Sequence, residues 1–264
     1  MNPVLVTERI GRVLLATLSR PPVNALDGEL FTRLDDLLTE VSADPQVSVL
    51  HIRSDQKAFC AGADLALMRS RLDTPAGIDA MVEQVRRLQK LFARLEAAPV
   101  VTLVEIGGAA LGGGLELAIS CDLRVAAADA KLGLPEVSLG VVPGAGGTQR
   151  LTRLCGSGIA KRLILGAELI DGAQAERLGI VQWAQPRELL AEFTRELAAR
   201  IADMPRGALA ASKRCIQAAG DADRDGFAEE LAVTRQLYGR AETRARVAEF
   251  LSRKNTRVQT KEMP

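Results

Sequence analysis

The amino-acid sequence predicts an α/β protein whose strand-bearing first two-thirds gives way to an all-helical end. Two observations carry that prediction. Short blocks rich in valine, isoleucine and leucine recur at 4–8, 12–18, 47–53, 100–105 and 122–127, several of them separated by segments with apolar residues at helical spacing. From Pro186 onward no strand signal remains, and helical segments follow at about 187–203, 207–219, 224–239 and 242–254. We place the division at 195/196, giving a core of 1–195 and a helical region of 196–264. Strand-strand-helix units recur within the core without any repeat of sequence.

Taken in order, the first two blocks flank Gly11 and form an antiparallel pair. Two prolines, Pro21 and Pro22, then interrupt regular structure by removing donors and restricting their neighbours. Asp27 caps a helix that carries Leu30, Phe31, Leu34, Leu37, Leu38 and Val41 on one face. The block 47–53 is a buried strand, and His51 within it reads as a hydrogen-bonded core residue. Residues from Lys57 form a short strand entering the small-residue turn Cys60-Ala61-Gly62-Ala63. Thr74 and Pro75 supply the cap and first position of a helix that runs to about Ala97, where Pro99 stops it. After the strand at 100–105, the glycines Gly112, Gly113 and Gly114 open a helix through about Cys121. A short strand at 131–133 leads to a turn at Pro135 and Glu136, and a helical region begins at Thr148. Asp171-Gly172 and Gly179 bracket one more helix, with a strand at 180–184 behind it. The tail from Asn255 is expected to be loosely ordered.

Composition narrows the function. The 264 residues are 47% hydrophobic and 25% charged, as suits one large domain, or one domain plus a helical appendage. Lys and Arg number 34 against 33 Asp and Glu, so net charge gives no reason to expect nucleic acid or an anionic membrane as partner. Cys60, Cys121, Cys155 and Cys215 are widely spaced and read as free thiols, and a chain whose one histidine is His51 lacks a zinc-ligand cluster. No apolar run reaches the ~18–20 residues of a membrane span. Residues 1–12 lack the features of a signal or transit peptide, so the expected location is cytoplasmic.

The stretch 107–150 holds the chemistry. Between Gly107 and Cys121 the one charged residue is Glu116, directly behind three glycines; between Leu132 and Gln149 it is Glu136. Lone carboxylates in apolar, glycine-rich surroundings are costly to bury unless a site uses them. Nucleotide loops are the first alternative. Neither 112–117 nor 144–149 completes the dinucleotide fingerprint, a P-loop Gly-Lys-Ser/Thr is absent, and so is a G-x-S-x-G elbow. A better use of the glycines is to expose backbone N–H groups at a helix start, where they can stabilise a thioester oxygen as it takes on enolate character. The turn at 60–63 is the best source of a second donor. Two carboxylates facing one substrate can then divide acid and base work between them.

Three segments, AFCAGADLALM (58–68), ALGGGLELAISCD (110–122) and LPEVSLGVVPGAGGTQRL (134–151), closely resemble the crotonase family, and most of all its enoyl-CoA hydratases. The resemblance covers nearly the whole chain in order. It implies a spiral of ββα units with a C-terminal helical trimerisation region, assembled as trimers or hexamers. It also implies an acyl-CoA thioester substrate, with coenzyme A part of that substrate and no separate cofactor or metal. Carried over by position, the oxyanion donors fall on the N–H groups of Ala63 and Gly113. The two acids fall on Glu116, which would activate water, and Glu136, which would serve the α-carbon proton. Coenzyme contacts fall on Lys57, Ala58, Ala61 and Asp64, with Lys57 open to either a phosphate contact or plain solvation. A basic residue near Arg253 and Lys254 can also reach phosphate in the family, sometimes across a subunit boundary.

Both acids are present, which favours hydration over double-bond isomerisation while leaving a secondary isomerase activity, or another CoA-thioester lyase reaction, open. Walls of the acyl pocket are expected from Met68, Leu72 and the helix at 75–97. Some hydratases of the family bind RNA, and Arg86, Arg87 and Lys90 would be the residues to do so here; a solvated helix face explains them more simply.

Overall fold

A computed structural model describes residues 3–259, with side chains described to residue 252. The chain forms two compact units, the first ending at Asp203 and the second beginning at Met204.

The first unit is built on a sheet of six strands in the spatial order β1 (Leu5–Ile10), β2 (Val13–Leu18), β3 (Val49–Ser54), β4 (Val101–Ile106), β6 (Leu123–Ala127) and β9 (Trp183–Gln185). Gly11, in the left-handed region at φ 58°, makes the turn that lets β1 and β2 pair antiparallel; every later pairing in this sheet is parallel. A smaller sheet places β7 (Lys131–Gly133) between β5 (Ala110–Leu111) and β8 (Ile170–Asp171). The helices are α1 (Gly28–Ala43), α2 (Leu65–Arg71), α3 (Pro75–Ala97), α4 (Gly113–Ile119), α5 (Gly147–Leu165), α6 (Gly172–Arg177) and α7 (Arg187–Ala202).

Strand alternation decides which helix covers which face. Leu50 and Ile52 of β3 point toward α1 and α3, where Leu34, Leu37, Leu38, Leu91 and Leu95 gather round them. His51 and its register partners Leu15 and Leu103 point the other way, toward α7, whose Leu190, Leu197 and Ala198 are buried. His51 is a core residue as expected, but its partner is unusual. Its Nε2 lies 3.2 Å from Glu105 Oε2, in an orientation that makes no hydrogen bond.

Several expectations need correction. Residues from Lys57 form no strand; a single bridge joins Cys60 to Ala110, because Asn24 and Ser54 side chains take the flanking Phe59 and Ala58 carbonyls. Helix α2 was not anticipated: Asp64 caps it, yet none of its seven residues is buried, so it leaves no apolar stripe in the sequence. The strand after α6 begins only at Trp183, since Ile180 and Val181 are drawn back to the Ala175 carbonyl. The first compact unit ends at Asp203 and takes in all of α7, which packs on the sheet.

The second unit holds α8 (Arg206–Ala218), α9 (Gly226–Tyr238) and α10 (Ala241–Gln259). The last of these runs past residue 255, where a loose tail was expected. Arg224 donates to both Glu229 carboxylate oxygens at 2.7 and 2.6 Å, while Phe227 and Leu231 stay largely exposed.

Candidate active site

Two backbone turns and two carboxylates converge at one end of the small sheet. The first turn, 60–63, is held from beneath by Asn24, which is fully buried with φ 52°. Its Nδ2 donates to Phe59 O at 2.9 Å and Ser54 Oγ at 2.7 Å, while the Cys60 thiol donates to Asn24 O at 3.0 Å. Burial pushes the Cys60 thiol up to about 12, so it stays neutral and serves packing. Farther along, Ala61 N–H donates to Val23 O and Leu26 N–H to Gly62 O, which docks the turn on the segment after β2.

The second turn leads from β5 through Gly112 into α4. Both turns need glycine where they meet. Gly62 sits at φ 87°, and a Cβ there would lie 2.8 Å from Leu111 O and 3.0 Å from Gly113 N. A Cβ on Gly114 would run into the Cys60 carbonyl. The close approach brings the amides of Ala63 and Gly113 to the same opening. Neither N–H is hydrogen-bonded within the described chain, and Gly113 begins a helix whose first amides lack intrahelical acceptors.

Glu116 lies in the first turn of α4 and is 3% exposed. Its Oε1 accepts the Gly147 N–H at 2.7 Å. Burial raises this carboxyl to about 7, the Gly147 bond opposes that rise, the Glu136 charge adds to it and the Arg150 charge reduces it. Glu136 opens the 3-10 turn Glu136–Leu139, which ends at Gly140 in the left-handed region. Its Oε1 stands over Gly112, 3.1 Å from where a Cβ would be, and its Oε2 is buried without a partner. Burial raises Glu136 as well. Two carboxyls, both held toward the neutral form and electrostatically coupled, suit a site that passes single protons.

The other expected positions spread outward from this opening. Lys57 is exposed, Ala58 is buried and Ala61 is half-buried. Asp64 is spoken for as the cap of α2, accepting from Ala66 and Leu67 N–H at 3.0 Å each. Met68 is half-buried and Leu72 exposed. Arg253 and Lys254 lie outside the described side chains. Arg86 and Arg87 both pair with Glu83, as a solvated helix face would. Among the described residues no group of three or more His, Cys, Asp or Glu could hold a metal, and no helix is long and apolar enough to cross a membrane.

This arrangement sits on a chain whose residues 8–259 match the family model described as Enoyl-CoA hydratase/isomerase. The chain belongs to the enoyl-CoA hydratase/isomerase family. It is 38% identical over 236 residues to the 2,3-dehydroadipyl-CoA hydratase of Escherichia coli, covering 89% of this chain and 88% of that one. Over 213 residues it is 40% identical to the crotonyl-CoA hydratase of Syntrophomonas wolfei, covering 78% and 77%. A crystal structure of an enoyl-CoA hydratase from Bacillus anthracis superposes with a TM-score of 0.88 at 30% identity, covering 95% of this chain and 96% of the other. The fold is therefore the crotonase-like α/β fold that the motifs implied.

Family motifs pointed to the two acids and the two turns, but not to the residues that hold them. In the sequence Gln89, Glu96 and Arg150 look like ordinary polar helix residues, and the one signal near Gly147 is the glycine run at 144–147.

Proposed function

We propose that this member of the family is an enoyl-CoA hydratase, adding water reversibly across the 2,3 double bond of a 2-enoyl-CoA to give a 3-hydroxyacyl-CoA. The observation that carries this reading is the pairing of buried Glu116 with half-buried Glu136, whose Oε2 is enclosed, both beside the opening where the Ala63 and Gly113 amides meet. The thioester oxygen accepts from those two N–H groups, which stabilise the enolate as it forms. Ionised Glu116 takes a proton from water while the water oxygen bonds to C3. Protonated Glu136 gives its proton to C2, and the C2–C3 π bond is consumed. One water is added in total, with no net oxidation or reduction.

Since hydration moves only protons and one water, it calls for no redox cofactor, and two amides with two acids supply the polarisation a metal would otherwise give. Coenzyme A enters as part of the substrate, with Lys57, Ala58, Ala61 and Asp64 along its path. The relatives named for crotonyl-CoA and 2,3-dehydroadipyl-CoA support short 2-enoyl thioesters as the first substrates to try. Assembly into trimers is supported by the second unit, where Phe227 is 83% and Leu231 75% exposed in the single chain. Four free cysteines suit the reducing cytoplasm.

Product analysis tests the reading. Purified enzyme should convert crotonyl-CoA to 3-hydroxybutyryl-CoA with loss of the conjugated enoyl absorbance. Conversion of a 3-enoyl-CoA to its 2-enoyl isomer, with no hydration of either, would replace hydratase by isomerase.

A further inference from the structure

Arg150 makes no contact that the hydration scheme uses, yet its surroundings are built for it. The side chain is only 12% exposed. Its Nη1 donates to the Ala145 carbonyl at 3.0 Å, and its Nη2 donates to Glu96 Oε2 of α3 at 2.7 Å. Gly146 leaves the space the guanidinium fills: at φ 109°, any Cβ there would collide with Arg150 Nη1. From the same helix α3, Gln89 Nε2 donates to Gly144 O at 2.7 Å. Residues 144–146 are thus fastened one after another, and the next residue is Gly147, whose N–H holds Glu116. A turn with three glycines among four residues has almost no side chains of its own to fix its shape.

We infer that Arg150 is a positioning residue for the hydration reaction, clamping the turn 144–147 to α3 so that the Gly147 N–H stays on Glu116 and a fixed positive charge faces that carboxylate. The inference rests on the reading of Glu116 as the base. Among the described residues, the charged groups acting on Glu116 are Glu136 from the 3-10 turn and Arg150 from α5, with Glu96 of α3 behind the arginine. Loss of the arginine leaves Glu116 facing Glu136 alone, so its ionised form is disfavoured further.

Full-length Arg150→Gln, Arg150→Lys and Glu96→Gln enzymes are compared with the wild type on crotonyl-CoA. In parallel, the carboxyl C=O stretch of Glu116, assigned by its loss in Glu116→Gln, is titrated by infrared spectroscopy. Arg150→Gln should lower kcat by about 10–100-fold with KM within about threefold, as misplacement of a reacting group does. It should also move the acid limb of the rate profile and the infrared midpoint to higher pH. Arg150→Lys should restore the midpoint but only part of kcat, because the charge returns without the fork that holds Ala145 and Glu96 together. Glu96→Gln, which loosens the anchor at the surface, should lower kcat by about 3–10-fold. A folded Arg150→Gln enzyme with wild-type limb and midpoint would overturn the inference. Should that variant not fold, an unchanged kcat in Glu96→Gln would overturn it instead. Absence of hydration by the wild type would defeat the functional reading alone, since the infrared midpoint reports on the Arg150–Glu116 link without turnover.

Discussion

Gly147 donates its backbone N–H to Glu116 at 2.7 Å, yet that carboxyl still sits near 7 because burial outweighs the bond. A charge-assisted bond from a backbone amide normally holds a carboxylate acidic. Here it serves to aim the group, leaving the proton loosely held at neutral pH.

That balance has a stability cost with a definite sign. Glu116 is raised from an ordinary value near 4.5 to about 7 on folding. Between those values the folded chain binds more protons than the unfolded one, so stability falls as pH rises through the window, and the penalty is complete above it. Glu116→Gln should therefore be more stable than the wild type at pH 8 by about 1–3 kcal/mol, an advantage that fades toward pH 5. Urea unfolding at the two pH values measures it. An equal difference at both would mean that Glu116 is not raised by the fold.

The same group is expected to set the acid limb of the rate profile. If ionised Glu116 activates water, kcat/KM of the free enzyme should fall about tenfold per pH unit below pH 7. A limb near the ordinary carboxylate value would assign it to another group.

Close approach of the turn at 60–63 to the start of α4 depends on Gly114, whose added Cβ would strike the Cys60 carbonyl, whereas Gly158 in α5 has open space beside it. Gly114→Ala should cost about 1–3 kcal/mol of stability by overpacking. Turnover should drop at least about tenfold, since the amides of Ala63 and Gly113 move apart. Gly158→Ala should be neutral or stabilise by up to about 1 kcal/mol. Denaturant midpoints and kcat for the two variants separate these outcomes, and similar behaviour of both would contradict the geometry.

Asn24 supports the first turn from a buried, left-handed position with hydrogen bonds to Ser54, Phe59 and Arg20. Asn24→Ala should cost about 2–4 kcal/mol, combining unsatisfied polar groups with an alanine forced into that conformation. Thermal unfolding checks it; a change under 1 kcal/mol would show that the turn holds itself.

How much of this was legible in the sequence differs by the kind of signal involved. Helices with an apolar stripe and a cap could be read nearly to their ends: Thr74 and Pro75 start α3, and Asp27 caps α1. Helix α2 could not, because it buries nothing and its cap, Asp64, looked like the end of a turn. Segments that pair through one bridge, such as Cys60 with Ala110, imitate strands because their residues are small and apolar for a different reason, the close approach of two backbones. In the site, Glu116 and Glu136 announced themselves as lone charges in apolar company. Arg150 did not, because a basic residue in a helix is ordinary until the loop it clamps is seen folded against Glu116.

The most direct test of the account is the rate of crotonyl-CoA hydration by the wild type, Glu116→Gln and Glu136→Gln, each verified as folded. Loss of either acid should lower kcat by at least about 10²-fold, as removal of a general acid or base does. Near-wild-type hydration by either variant would contradict the role given to that residue, and by both would contradict the mechanism.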